Sequence, residues 1–224
     1  NYLADLKAKR PLFEVKTSDI NSDKSDFGAL LTDDNTVYFT SARNEARKTS
    51  GWNDEPYLDL YQAIYNEDGT LSAPTLVESV NTKWHDGPAT ISADGTIMYI
   101  TSESFNDNKF EKSDDKKSKF SRMYLYKATK NDGKWSNLTA LPINSTEYSL
   151  RNPSISKDGK TLFFSSNRPG SIGGVDIWKV AISETGSYGT PENLGNKVNS
   201  EGNESFPFIT SENVLYFSSD AKQG

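Results

Sequence analysis

A fourfold recurrence limits what this 224-residue chain can fold into. A short aromatic or branched run ends in a small polar pair at Thr40-Ser41, Thr101-Ser102, Ser165-Ser166 and Ser218-Ser219. The fullest copy runs from Asn152 to Val180 as NPSISKDGKTLFFSSNRPGSIGGVDIWKV. A period of roughly 55 to 65 residues matches one supersecondary unit that must stack on its neighbours to bury its faces.

Each copy opens with a short strand, at 29–32, 88–92, 153–156 or 207–210. A turn at Asp33-Asp34-Asn35, Asp94-Gly95, Asp158-Gly159 or Glu212-Asn213 follows, with residues that tolerate positive φ and so close hairpins. The second strand has an apolar centre, such as Met98-Tyr99-Ile100 or Leu162-Phe163-Phe164, suited to burial on both faces. A third strand carries Asp59-Leu60-Tyr61, Tyr124-Leu125-Tyr126 or Asp176-Ile177-Trp178, and a hairpin leads into a fourth. The fourth runs into Val80-Asn81-Thr82, Ile143-Asn144-Ser145 or Val198-Asn199-Ser200, and Ile20-Asn21-Ser22 matches this signature. These asparagines are expected to cap turns between units. Four antiparallel strands per unit predict an all-β chain, a β-propeller of four-stranded blades, with three complete repeats and a partial fourth.

The pattern from Pro153 to Trp178 resembles the TolB-type, WD-like propeller repeat. The opening NYLADLKAKRPLFEV, followed by Asn21-Ser22 and Asp26-Phe27-Gly28, is similar to the propeller of Bacteroidota OmpA-family outer-membrane lipoproteins, a peptidoglycan-associated group with a member in type IX secretion. The resemblance implies a ring of five or six blades in the parent protein. It also implies a location in the periplasm, associated with the outer membrane, and envelope proteins as partners. Peptidoglycan would be bound only through a separate domain.

Residues 1–11 read as the end of a preceding helical segment, stopped by Pro11. The propeller is expected over 12–224, truncated on its C-terminal side, with 12–17 as the strand that closes the ring. No apolar leader precedes Asn1, which reads as a start in mid-protein. A mean hydropathy of -0.70 argues against membrane insertion. The net charge of -6 is scattered along the chain, which disfavours nucleic acid as a partner. The absence of cysteine excludes a thiol nucleophile, a Cys-type zinc site and a disulfide framework.

Catalytic chemistry finds no constellation in the sequence. His85 is the one histidine, and no Gly-x-Ser-x-Gly elbow supplies a nucleophile, so a hydrogen bond to backbone is its expected role. Asp34, Asp94 and Asp158 recur in the hairpin turns, and Asp59 and Asp176 recur at the start of third strands. A residue type that each blade repeats is expected to serve the blade. Acidic clusters such as Asp114-Asp115 lack calcium-loop spacing. The chain is therefore expected to be no enzyme, with no catalytic residue, cofactor or metal. The alternative is a glycan-binding propeller or a glycosidase-like enzyme, whose carboxylates would converge on the ring centre.

Two expanded loops, 43–56 and 103–122, join second to third strands. Antiparallel order puts them on the face that also carries the links between blades. Long loops on a rigid scaffold are where binding concentrates. The expected partner-binding face comprises Arg43, Trp52, Tyr57, Trp84, His85, Phe105, Phe110 and Arg168. The leading expectation is a protein-interaction or scaffold module.

Overall fold

The computed structural model describes residues 16–51, 53–115 and 117–222. The helix expected before Pro11, most of the closing strand expected over 12–17, and Trp52 lie outside them.

The chain is a β-propeller built blade after blade. The first blade contains β1 (Asp26–Leu31), β2 (Thr36–Ser41), β3 (Asp59–Ile64) and β4 (Thr75–Leu76), paired in that order. The second contains β5 (Asp86–Ile91), β6 (Ile97–Glu103), β9 (Met123–Asn131) and β10 (Lys134–Ala140). Its expanded loop carries a 3-10 turn over Ser104–Asp107 and a small hairpin, β7 (Glu111–Lys112) with β8 (Lys119–Phe120). The third contains β11 (Leu150–Ile155), β12 (Thr161–Ser166), β13 (Asp176–Ala181) and β14 (Glu192–Asn193). The fourth contributes β15 (Glu204–Ile209) and β16 (Leu215–Ser219).

The innermost strands begin about three residues earlier than the sequence suggested, at Asp26, Asp86, Leu150 and Glu204. Each carries a bulge, between Phe27 and Leu30, Asp86 and Ala89, Arg151 and Ser154, or Ser205 and Phe208. A bulge breaks the two-residue alternation that marks a strand in sequence, so only the part after it was legible. Gly87 shows why one bulge needs glycine: its φ is +99°, and a Cβ there would lie 2.2 Å from the Thr40 hydroxyl.

The hairpin aspartates act as expected. The Asp94 carboxylate accepts from the Ser92 hydroxyl at 2.5 Å and the Thr96 N–H at 3.1 Å. The Asp158 carboxylate accepts from the Ser156 hydroxyl at 2.6 Å and the Lys160 N–H at 3.0 Å. These bonds lock the turn between first and second strands.

The cores lie between blades. One joins Tyr38 and Leu60 of the first blade to Met98, Ile100, Tyr126 and Trp135 of the second. The next joins Tyr99, Leu125 and Leu141 of the second to Leu150, Phe164 and Trp178 of the third. Tyr61, Tyr126 and Trp178 occupy equivalent third-strand positions, opposite Phe39, Ile100 and Phe164, and all three are buried. Backbone donors stitch the inner strands together. The Asn152 N–H reaches the Thr101 hydroxyl at 3.0 Å, the Ile155 N–H reaches Thr90 at 3.2 Å, and the Ile209 N–H reaches Ser154 at 3.0 Å. At the first junction the residue equivalent to Asn152 is Pro88, which has no N–H. The Thr40 hydroxyl is buried there without a partner.

The asparagine signature does something other than cap turns. Asn81 Oδ1 accepts from the Leu60 N–H at 2.6 Å, while its Nδ2 donates to the Leu60 carbonyl at 2.9 Å. Asn144 does the same to Leu125, and Asn199 to Ile177. The side-chain amide stands in for a peptide group of the fourth strand, continuing the sheet where the backbone has already turned away.

Candidate interaction site

The residues after each asparagine build the link to the next blade. Thr82 lies four residues before Asp86, Ser22 four before Asp26, and Ser200 four before Glu204. In each case the later carboxylate accepts from both the N–H and the hydroxyl of the earlier residue, at 2.5 and 3.0 Å for Thr82 with Asp86. The third blade breaks the rule with Leu150.

Between the first and second blades this link lies beside the two expanded loops. Arg47, from the first loop, donates through Nε to both oxygens of Asp59 at 3.0 Å and through a terminal nitrogen to Asp59 and the Thr82 carbonyl. Asn44 adds a bond to Asp59 at 2.8 Å. Asp86 lies 3.8 Å from the same guanidinium. Both carboxylates are buried, and Arg47 is committed to Asp59. Burial, opposed by hydrogen bonds from the Thr82 N–H and hydroxyl, pushes the Asp86 carboxyl up to about 7. Arg47 thus straps its loop to the blade, while a proton competes to neutralise Asp86.

His85 accepts from the Leu58 N–H at Nδ1, 3.1 Å away, and its Nε2 faces Glu103 at 4.0 Å. Burial holds the imidazole below its ordinary pKa, with the nearby Glu103 charge opposing the shift. Glu103 in turn accepts from the Ser121 hydroxyl at 2.7 Å, tying the second loop to the same point.

Over this charged bracket runs a continuous row of rings. Tyr57 lies 4.4 Å from His85 and 6.2 Å from Trp84, Trp84 lies 4.5 Å from Phe105, and Phe105 lies 5.9 Å from Phe110. All five are half-buried, so the row presents ring surface while ordering both loops. Lys83 and Lys119 lie over Trp84 and Phe110 at 5.3 and 4.2 Å. Tyr57, Trp84, His85, Phe105 and Phe110, singled out from sequence, therefore come together.

Arg43 and Arg168 do not join them. Arg43 is packed over the rings of Phe39 and Tyr61, and it bonds Asp26 at 2.7 Å and the Ile20 carbonyl at 2.8 Å. Arg168 occupies the equivalent place in the third blade, over Tyr148 and Trp178 at 5.1 Å each. Both are structural side chains of the blades rather than free loop cations. Arg47 and Glu103 lie within the loops expected on that face but were not among the residues singled out for binding, and Asp86 was not expected to contribute. The available signal was the Ser/Thr-to-carboxylate spacing of four that recurs at Asp26, Asp86 and Glu204.

Among the described residues no group of three or more His, Cys, Asp or Glu side chains is placed to hold a metal ion. No helix among them is long and apolar enough to cross a membrane. A concavity of about 760 Å³ opens on the opposite face, between the innermost strands. Leu30, Thr90, Ser154 and Phe208 line it, one from each inner strand, so the short-turn face is not featureless.

No protein family matches the sequence, and no curated protein matches it either. Among solved structures, TolB from Acinetobacter baumannii superposes with a TM-score of 0.51 at 15% identity, over 87% of this chain and 37% of its own. A puromycin-hydrolyzing peptidase from Mycobacterium tuberculosis superposes with a TM-score of 0.50 at 11% identity, over 86% of this chain and 26% of its own. The chain thus spans between about a quarter and two fifths of these proteins. The peptidase overturns the expectation that the chain is no enzyme, because a similar fold is found in a hydrolase and the fold leaves catalytic status open. At such identities the likeness establishes a TolB-like β-propeller fold and nothing finer.

Proposed function

We propose that this propeller is a protein-interaction module that receives its partner on the long-loop face, across the ring row from Tyr57 to Phe110. The observation that carries this reading is the coupling of that row to the Arg47 strap. Together they hold two expanded loops rigidly above the blades, a pre-organised surface of aromatic side chains of the kind enriched in interface anchors. The TolB-like fold supports the same reading by analogy.

The sequence resemblance extends the proposal. The module belongs in the periplasm as part of an outer-membrane-associated protein of OmpA-family type, and its partners are envelope proteins in secretion or envelope organisation. Affinity capture from an envelope extract tests it, comparing the wild-type chain with Trp84→Ala/Phe105→Ala. The expected result is one or more envelope proteins retained by the wild type and lost with the double variant at unchanged folding. Identical retention by both proteins would overturn the assignment of the face.

A further inference from the structure

The hairpin β7–β8 is electrostatically opposite to the rest of the chain. From Lys109 to Arg122 the sequence has six Lys and Arg against three Asp and Glu, a net of +3 within a chain of -6, leaving -9 elsewhere. Its acids are largely committed. Glu111 receives two bonds from Arg122 at 3.1 and 3.2 Å, and Asp115 accepts from the Ser113 hydroxyl and the Lys117 N–H within the turn. Lys112 and Lys119 are Cα partners directly across the two strands, so their side chains share one face of the ribbon. Neither has an acid partner among the described residues, and both are exposed, with Lys119 also lying over the Phe110 ring at 4.2 Å. Like charges directly opposite each other in a sheet destabilise it, and a two-stranded ribbon is marginal on its own. Such a pair is relieved when an anionic group sits between the two ammonium groups.

We infer that the Lys112–Lys119 face of this arm binds an acidic polypeptide segment of the partner. The inference rests on the protein-interaction reading and names the chemistry of the partner beside the ring row. An anionic lipid surface is the weaker occupant. The turn between the two strands exposes the carboxylates of Asp114 and Asp115 beside Lys117, and a tip-first approach would drive both carboxylates into the headgroup layer. The single exposed apolar side chain of the arm, Phe120, lies on the other face with Glu111. A carboxylate-bearing strand laid along the flank meets both lysines without that penalty. The acidic body of the propeller repels the same segment, so the arm also fixes where it lands.

The probe is an oligoglutamate peptide titrated into the whole chain and followed by amide chemical shifts. Shifts should concentrate at 109–122 and weaken by about tenfold or more between low and physiological salt. Lys112→Glu should abolish them while increasing hydrogen-exchange protection of the hairpin, because residue 112 then pairs with Lys119 internally. Lys112→Ala/Lys119→Ala should also abolish them, and Lys134→Glu, remote from the arm, should not. Equal shifts in wild type and Lys112→Glu would overturn the inference, as would binding to phosphatidylglycerol vesicles with none to oligoglutamate. Envelope capture separates the two levels. Capture that survives Lys112→Glu with no oligoglutamate binding sinks the arm and leaves the ring row, whereas oligoglutamate binding without any envelope capture sinks the module.

Discussion

Asn199 holds Ile177 by both backbone polar groups, accepting from its N–H at 2.8 Å and donating to its carbonyl at 3.0 Å. Asn199 is 2% exposed, so nothing else can take its place. Asn199→Ala should leave two buried backbone groups unpaired and cost about 2 to 4 kcal/mol in chemical denaturation. Asn21 is exposed and its side chain makes no such bond among the described residues, so Asn21→Ala in this chain should cost much less. Equal losses from the two substitutions would refute the role assigned to the signature.

Arg43 gives a second stability prediction. It is 18% exposed, pairs with Asp26, and is stacked on Phe39 and Tyr61. Arg43→Ala should cost about 1 to 3 kcal/mol, combining a lost ion pair with lost ring contact. Arg43→Lys should recover only part, since an ammonium cannot both stack flat and bond Asp26 and the Ile20 carbonyl. An unchanged melting temperature in Arg43→Ala would return this residue to the loop surface that its sequence position suggested.

Trp178 tests the packing between blades. Its ring is 6% exposed within the core shared by the second and third blades. Trp178→Ala should cost about 3 to 5 kcal/mol. A loss below about 1 kcal/mol would mean that the blades do not depend on this contact.

Much of this fold is legible in the chain because its strongest signals are local. The aromatic centre of each second strand, the Asp-bearing turn before it and the third-strand aromatic all recur within a few residues of one another. What escaped depends on geometry that no local window carries. The bulges at Gly28 and Asn152 hide the first half of the inner strands. The asparagines act as surrogate strand residues about 20 positions from the residues they grip. Arg43 looks like a loop cation until its stem and guanidinium are seen against Phe39 and Tyr61. The ring row joins Tyr57, Trp84 and Phe105 from three separate segments, so sequence offered the residues and their shared face but not their contact.

Asp86 predicts a pH dependence of definite sign. Its folded pKa of about 7 lies above the ordinary value of 3.8, so between these limits the folded chain holds a proton that the unfolded chain has released. Its contribution to stability is therefore complete below the lower value and is lost as pH rises through about 7. Asp86→Asn should flatten the stability profile over that window and gain on the wild type above it. Hydrogen bonds hold the turn carboxylates of Asp94 and Asp158 below their ordinary values, so they lose stability only at acid pH, alike in both proteins. Parallel denaturation profiles of wild type and Asp86→Asn across this window would show that Asp86 is ionised in the fold.

The most direct test of the account is site-resolved photo-crosslinking in envelope extract. One chain would carry a photoreactive phenylalanine analogue at Phe105, on the long-loop face, and another at Lys157, on the short-turn face. The account predicts a discrete adduct with an envelope protein from position 105 and none from position 157. Adducts from position 157 alone would contradict it and would move the partner to the funnel on the opposite side of the ring.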